Sequence, residues 1–189
     1  MTDGTRLTGI TPAEMSSEQR AVYDAIVTSP RGASSRLDAD GSLPGPFNAM
    51  LLSPAVGMAL QNLGSALRYE STLPDLVREL VILLVAGRAD SAYEQYAHEP
   101  LAREAGADEE TLAELRSGNL PTEVSDEVAA ALGVADALLG WGLDDEAYAA
   151  AVASVGEAWL FEINAVVGYY QLLARQLGLF GVLAPEGER

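Results

Sequence analysis

The segment from Leu76 to Ala86 constrains the fold more than any other part of the sequence. It is apolar on nearly every helical face, which is the pattern of a helix surrounded by other elements. A chain of 189 residues, 49% of them apolar, is long enough to build one sizeable core and too apolar to remain disordered. We therefore expect this segment to be a buried helix.

One acidic residue, Glu79, interrupts this apolar segment. A buried carboxylate is costly unless a partner pairs with it or holds it protonated. The simplest partner is His98, the only histidine of the chain, in a predicted helix that follows after a very short turn. Because a short turn makes consecutive helices antiparallel, we expect Glu79 and His98 within hydrogen-bond reach, at the wall of a mostly apolar pocket. The register between the two helices does not follow from the sequence.

Ser91 and Glu94 are predicted to share a helix face with His98. At about 100° per residue, the three positions fall within about 60° of one another. Glu94 is therefore a candidate proton relay and Ser91 a candidate substrate-binding residue. Two structural alternatives stay open. The pattern Ser91-x-x-Glu94 also fits a capping box that only closes a helix start, and Glu79 with His98 could be an interhelix lock without chemistry.

The spacing of Glu79, Ser91, Glu94 and His98 resembles that of the carboxymuconolactone decarboxylase and alkylhydroperoxidase D-like family. In the redox branch of that family the two middle positions are cysteines, whereas here they are serine and glutamate. The decarboxylase-like branch is similar to YExxxH, which this chain writes as Tyr93, Glu94 and His98. Similar segments are PGPFNAMLLSP (44–54), AHEPLAREAG (97–106) and GYYQLLARQLGLF (168–180), so the likeness covers roughly residues 44–180.

The resemblance implies an all-α fold, an alkylhydroperoxidase D-like helical bundle, and assembly into trimers or multiples of trimers. It also implies cofactor-free loss of CO2 from a carboxylactone, in which electrons flow into a conjugated carbonyl and a carbon is then protonated. We expect general acid–base catalysis by Glu79, Glu94 and His98 on a small conjugated lactone or keto acid, by a decarboxylase-like or isomerase-like reaction. The alternative is a non-catalytic family member that binds a small ligand or only assembles.

The composition excludes several functional classes. Without any Cys the chain has no disulfide and no thiolate nucleophile, so we expect no peroxide reduction with dithiol donors; without any Lys it cannot form a Schiff base. A single His leaves a histidine-rich metal site out of reach of one chain, and we expect neither metal nor cofactor. The net charge of −17 disfavours nucleic acid and anionic membranes as partners.

The N-terminal sequence does not have the pattern of a signal peptide. The N-terminus lacks a basic start before an apolar run, and the longest apolar run, near residues 80–87, is too short to span a bilayer, so we expect a soluble cytoplasmic protein.

We divide the chain into an arm, helix and loop (1–46), a helical domain (47–182) and a disordered tail (183–189). The Ser-, Gly- and Pro-rich loop at 29–46 leads to Phe47 and Asn48, which are candidate substrate-binding residues at a pocket mouth. The alternative, a plain surface loop, stays open.

Capping residues predict where the helices begin and end. The expected helices start at the capping box of Ser16 and Gln19, at Ser53–Pro54, Pro74, Ser91, Asp108, Ser125 and Asp144 or Asp145, with a last helix over residues 156–177 that Gly178 ends. The last helix carries large apolar residues on several faces, namely Trp159, Phe161, Val166, Tyr170, Leu173 and Phe180. One chain of this size is not expected to cover them all, which predicts a homo-oligomer.

Overall fold

Helices are the only regular secondary structure in the part of the chain that the structure describes, a computed structural model of residues 6–29, 37–140 and 142–185. The all-α expectation is therefore confirmed. The helices are α1 (Ser17–Thr28), α2 (Phe47–Met50), α3 (Pro54–Tyr69), α4 (Asp75–Arg88), α5 (Ala92–Glu104), α6 (Glu109–Arg116), α7 (Asp126–Leu139) and α8 (Asp145–Phe180). Residues 30–36 of the predicted loop at 29–46, and residues 186–189 of the predicted tail, lie outside the described residues.

Most of the predicted capping residues begin a helix. Side-chain caps are present at Ser16, which forms the full capping box with Gln19, and at Asp108, Ser125 and Asp144. Each supplies an oxygen to an amide that has no partner inside the helix. Ser53 and Ser91 occupy N-cap positions as well, but neither side chain makes a cap hydrogen bond.

The structure differs from the predicted helix boundaries in two places. The short helix α2 was not predicted. The last helix continues past Gly178 to Phe180, and Gly181 (φ +67°) takes the left-handed position that we had expected at Gly178. A break at Gly156 (φ +78°, ψ 161°) interrupts α8 where the sequence predicts one helix to end and the next to begin.

By length and composition alone, α8 is long and apolar enough to cross a membrane. This differs from the expectation drawn from the apolar run at 80–87, which is too short to span a bilayer. A core helix of a soluble protein meets the same criterion, and no second helix of the described residues does.

The chain forms two compact units. Unit 1 comprises residues 1–70 and 176–183, and unit 2 comprises residues 71–175 and 184–189. The unit boundary after Glu70 does not coincide with the boundary predicted after residue 46, because α2 and α3 group with α1. The predicted domain limits stay a prediction.

In unit 1, α1 and α2 both pack against α3. The approach is closest at Gly57, where a Cβ would lie 2.1 Å from the carbonyl oxygen of Met50. The amide side chain of Asn48 holds the N-terminal arm, accepting from the Ile10 N–H (2.9 Å) and donating to the Ile10 carbonyl (3.2 Å). Asn48 is buried, and its two hydrogen bonds hold the arm in place at Ile10.

In unit 2, α4 is the central helix and contacts α5, α6 and α7. All residues from Val77 to Ala86 are buried, which confirms the prediction of a buried helix. The last turn of α4 meets the end of α6, where a Cβ on Gly87 would lie 2.0 Å from the carbonyl oxygen of Leu115. Only glycine allows this backbone approach.

The turn between α4 and α5 is short because it is a Schellman motif. The Ser91 amide donates to the Ala86 carbonyl (2.9 Å) and the Asp90 amide to the Gly87 carbonyl (3.3 Å). Asp90 has φ +51°, the left-handed conformation that glycine usually occupies at this position. The motif reverses the chain within a few residues, so that α5 returns along α4.

Glu162 of α8 tethers the segment that precedes α4. Its carboxylate accepts from the Thr72 amide (3.0 Å) and from the hydroxyls of Ser71 (2.9 Å) and Thr72 (3.0 Å). Burial raises the pKa of Glu162, but these hydrogen bonds outweigh burial and hold the pKa below its ordinary value of 4.5. The charged form of Glu162 is therefore bound more strongly in the folded state than in the unfolded chain.

We expect Glu162→Gln to lower the free energy of unfolding at neutral pH by about 1–2 kcal/mol, since charge-assisted hydrogen bonds are lost. Because the folded-state pKa is depressed, this contribution is complete above the unfolded value and is lost as the pH falls through the folded-state pKa. The wild-type advantage should therefore shrink below about pH 4.5. Urea unfolding at several pH values tests this, with exposed Glu157→Gln on the same helix as control. A difference that grows towards acid pH would contradict it.

Candidate active site

The contact between Glu79 and His98 is the centre of the candidate site. Nδ1 of His98 lies 2.6 Å from Oε2 of Glu79, so the expected contact between α4 and α5 is present. The apolar pocket expected beside this contact stays a prediction. Glu79 is 2% exposed and His98 7% exposed. A hydrogen bond of this length between buried groups is strong, because little water competes for either atom. The contact fixes the orientation of the imidazole ring relative to α4.

Arg78 supplies a second charged neighbour to Glu79. Its Nη2 lies 3.6 Å from Oε1 of Glu79 and 2.7 Å from Oδ1 of Asp75. Arg78 is itself 7% exposed, whereas the Asp75 side chain is 78% exposed. The two oxygens of Glu79 thus face different partners, the imidazole on one side and the guanidinium on the other.

Glu94 lies on the opposite side of the imidazole. Its Oε2 is 3.8 Å from Nε2 of His98, which is beyond hydrogen-bond distance and leaves no room for a further atom on the line between them. Glu94 is 3% exposed and Ser91 8% exposed, so the predicted common face of α5 is buried. The capping-box alternative is wrong, because the Ser91 side chain makes no cap bond and the Ser91 amide donates to the Ala86 carbonyl.

Two tyrosines of α8 complete the surroundings of the imidazole. The ring of Tyr170 meets His98 edge-on, with centroids 5.1 Å apart and an interplanar angle of 89°. Tyr169 packs against Tyr170 in the same manner at 5.3 Å. Aromatic pairs favour this arrangement, and it restricts rotation of the imidazole. Tyr170 is one of the six large apolar residues of the last helix that one chain was not expected to cover in full, and it is buried within its own chain.

The structure brings Glu79, Ser91, Glu94 and His98 into unit 2, whereas Phe47 and Asn48 belong to unit 1. Both ends of the Asn48 amide are engaged by the backbone of Ile10. The substrate-binding roles of Phe47, Asn48 and Ser91, and the catalytic roles of the other three residues, stay predictions.

The arrangement suits proton transfer at one nitrogen of the imidazole. Glu79 engages Nδ1, so Nε2 is the nitrogen that can accept or donate a proton towards Glu94 or a bound molecule. The guanidinium of Arg78 balances one of the two buried carboxylates, and a proton on His98 would balance the other.

Sequence reasoning missed Arg78 and the role of Tyr170. A signal for Arg78 was present, since it is the second charged residue of an otherwise apolar segment and directly precedes Glu79. Tyr170 carried no local signal. Its helix is apolar on several faces, and only the packing of α8 decides which face meets His98.

Two of three comparisons relate the chain to known proteins. The profile described as "Carboxymuconolactone decarboxylase family" matches residues 54–137. The crystal structure of the debrominase Bmp8 in its apo form is similar with a TM-score of 0.71 and 15% identity, covering 100% of this chain and 95% of that one. The crystal structure of a cysteine-to-alanine variant of Bmp8 in complex with 2,3,4-tribromopyrrole is similar with a TM-score of 0.71 and 16% identity. The match covers 98% of this chain and 94% of that one. Comparison with curated proteins finds no match.

Proposed function

Because residues 54–137 match the profile of the carboxymuconolactone decarboxylase family, we propose that this protein is a cofactor-free enzyme that performs general acid–base chemistry on a small conjugated lactone or keto acid. The reaction is decarboxylase-like or isomerase-like. The observation that carries the proposal is the buried hydrogen bond between His98 Nδ1 and Glu79 Oε2, with Nε2 directed towards Glu94.

The proposed reaction needs an electron sink in the substrate and a proton donor in the protein. In a decarboxylation, the bond between carbon and the carboxylate breaks, CO2 leaves, and the electron pair enters the conjugated carbonyl as an enolate. Nε2 of His98 then delivers a proton to carbon, and Glu94 is positioned to return a proton to Nε2. In an isomerisation, the same groups remove a proton from one carbon and return it to another.

Thiol chemistry is not part of the proposal. The chain contains no cysteine, so a cysteine mechanism cannot be carried over from a structural relative. The similarity to the debrominase is below the identity at which a substrate could be inferred, and it supports the fold alone. The remaining alternative is a family member that binds a small ligand or only assembles, with Glu79 and His98 as an interhelix lock.

Measurement of CO2 release and of substrate absorbance over a panel of lactone acids and keto acids tests the proposal. We expect at least one member to be turned over by the wild-type protein, without added cofactor, and not by His98→Gln. Ligand binding without turnover across the panel, unchanged in His98→Gln, would favour the non-catalytic alternative.

We also propose that the protein is a homo-oligomer, most simply a trimer or a multiple of trimers. Three of the six apolar residues that suggested an interface, Val166, Tyr170 and Leu173, are buried by the chain itself, but Phe161 is 73% and Leu172 40% exposed. At about 100° per residue these two lie on one face of α8. Gly168 lies between them on that face, and outside its own helix backbone no atom of the described residues comes within 4 Å of a Cβ position. Another helix could approach closely along this stripe.

We expect light scattering at micromolar concentration to give a mass of three chains or a multiple of three. Phe161→Asp with Leu172→Asp should lower the mass to that of one chain, because two charges cannot be buried in an apolar interface without partners. Exposed Glu157→Gln is the matched control on the same helix. A wild-type mass of one chain would contradict the proposal, and recovery of the wild-type protein with lipid vesicles would favour a membrane as the partner of this face.

A further inference from the structure

We propose that Arg78 is a positioning residue, which keeps Glu79 ionised so that the proton of the Glu79–His98 contact stays on Nδ1 and Nε2 performs the acid–base step. The role of Nε2 in turnover rests on the proposed function. The position of the proton does not, because it is a property of the free protein.

The charged groups alternate in sign along this part of unit 2. Asp75 contacts Arg78 (2.7 Å), Arg78 faces Glu79 (3.6 Å), and Glu79 contacts His98 (2.6 Å). An arginine side chain does not release its proton in a protein. The array from Asp75 to His98 therefore cannot conduct protons to the solvent-exposed carboxylate of Asp75. Proton exchange is left to Nε2, which faces Glu94 at 3.8 Å.

Fold stability alone does not account for the position of Arg78. The residue is 7% exposed, and its Nε has no hydrogen-bond partner among the described residues. Burying an unsatisfied donor costs stability, and an apolar side chain would fit an otherwise apolar helix without that cost. What Arg78 contributes at this position is a permanent positive charge beside a buried carboxylate.

The surroundings determine the direction of the effect. On α4, Arg78 disfavours an added proton on the Glu79–His98 pair, whereas Glu79 and more distant Asp75 favour it. On α5, the carboxylate of Glu94 favours the added proton. On α8, the imidazole meets Tyr170, which packs against Tyr169, and both are neutral side chains. The other packed helices direct their charges elsewhere: α6 pairs Arg116 with Glu99, and α7 pairs Asp136 with Arg88 at the far end of α4. Removal of Arg78 should therefore make the pair retain its proton to higher pH.

The single histidine makes the experiment direct, because ¹⁵N-labelled protein gives one imidazole spin system. In the wild-type protein, at alkaline pH where the imidazole is neutral, we expect the proton on Nδ1 and none on Nε2. In Arg78→Met the pair should retain an extra proton to a higher pH than in the wild-type protein, because a positive charge 3.6 Å from Glu79 has been removed. The acidic limb of the pH–rate profile should move in the same direction. Arg78→Lys should restore the wild-type behaviour, and Arg88→Met should not change it.

A proton on Nε2 rather than Nδ1 in the neutral wild-type imidazole would overturn the inference. So would an unchanged titration in Arg78→Met with a wild-type melting curve. If Arg78→Met does not fold, Arg78→Gln replaces it as the neutral variant, and the wild-type tautomer remains decisive in any case. The experiment also separates the two proposals. If the wild-type tautomer and the titration of Arg78→Met are as expected but no lactone or keto acid is turned over, the role of Arg78 is upheld and the proposed enzymatic function fails.

Discussion

Glu79→Gln is expected to lower kcat by about 10²–10⁴-fold on the substrate that the wild-type protein turns over, and His98→Gln by at least as much. Glutamine keeps the shape of Glu79 but not the charge that orients the imidazole and stabilises its protonated form. Glutamine at 98 keeps much of the volume but cannot exchange a proton near neutral pH. Steady-state kinetics, with the folded fraction of each variant measured by circular dichroism, test this.

The double variant gives the sharper result. If Glu79 acts only through His98, then Glu79→Gln combined with His98→Gln should be no slower than His98→Gln alone, because groups that act as a unit are strongly non-additive. Exposed Glu104→Gln on α5 is the matched control and should keep wild-type kcat. Multiplied losses in the double variant would show that the two residues act independently.

The lock alternative predicts a different pattern. If the contact of 2.6 Å only joins α4 to α5, both single variants should melt at markedly lower temperature, and any activity should fall in proportion to the folded fraction. If the contact is catalytic, His98→Gln should fold, retain ligand binding and be nearly inactive. Thermal melts beside the kinetics separate the two cases.

The second large effect is expected at Gly87, far along α4 from Glu79. A Cβ there would lie 2.0 Å from the carbonyl oxygen of Leu115 and 2.9 Å from the amide nitrogen of Gly118, both backbone atoms. Backbone atoms cannot move aside as a flexible side chain can. Gly87→Ala should therefore separate α4 from the end of α6, at a cost of about 3 kcal/mol in the free energy of unfolding.

The same substitution at Gly133 is the matched control. Gly133 lies inside α7, and among the described residues no atom beyond its own helix backbone is within 4 Å of a Cβ position. Gly133→Ala should therefore raise the free energy of unfolding by about 0.5–1 kcal/mol, since alanine is the better helix residue. Thermal melts should show opposite shifts, with Gly87→Ala lower by roughly 6–12 °C. Equal melting temperatures would contradict the close contact between α4 and α6.

Helix boundaries could be predicted because their determinants are local. Ser16, Asp108, Ser125 and Asp144 each cap a helix through an amide within three residues, so a short stretch of sequence contains the whole interaction. Gly156 breaks α8 for an equally local reason, its left-handed backbone. Where the local signal was ambiguous, as between Gly178 and Gly181, the predicted end was wrong by three residues.

The sequence by itself determined that α4 is buried, because a helix with apolar residues on every face has no side for water. It also placed Glu94 and His98 on one face of α5, because one helical turn relates them. The tertiary structure decided the rest. Packing against α4 sets the register that brings Glu79 to His98, turns Arg78 onto the other oxygen of Glu79, and presents Tyr170 rather than Phe161 to the imidazole. These contacts join residues from separate helices, and the fit of side chains across helix faces, which no local pattern encodes, selects among the possible registers.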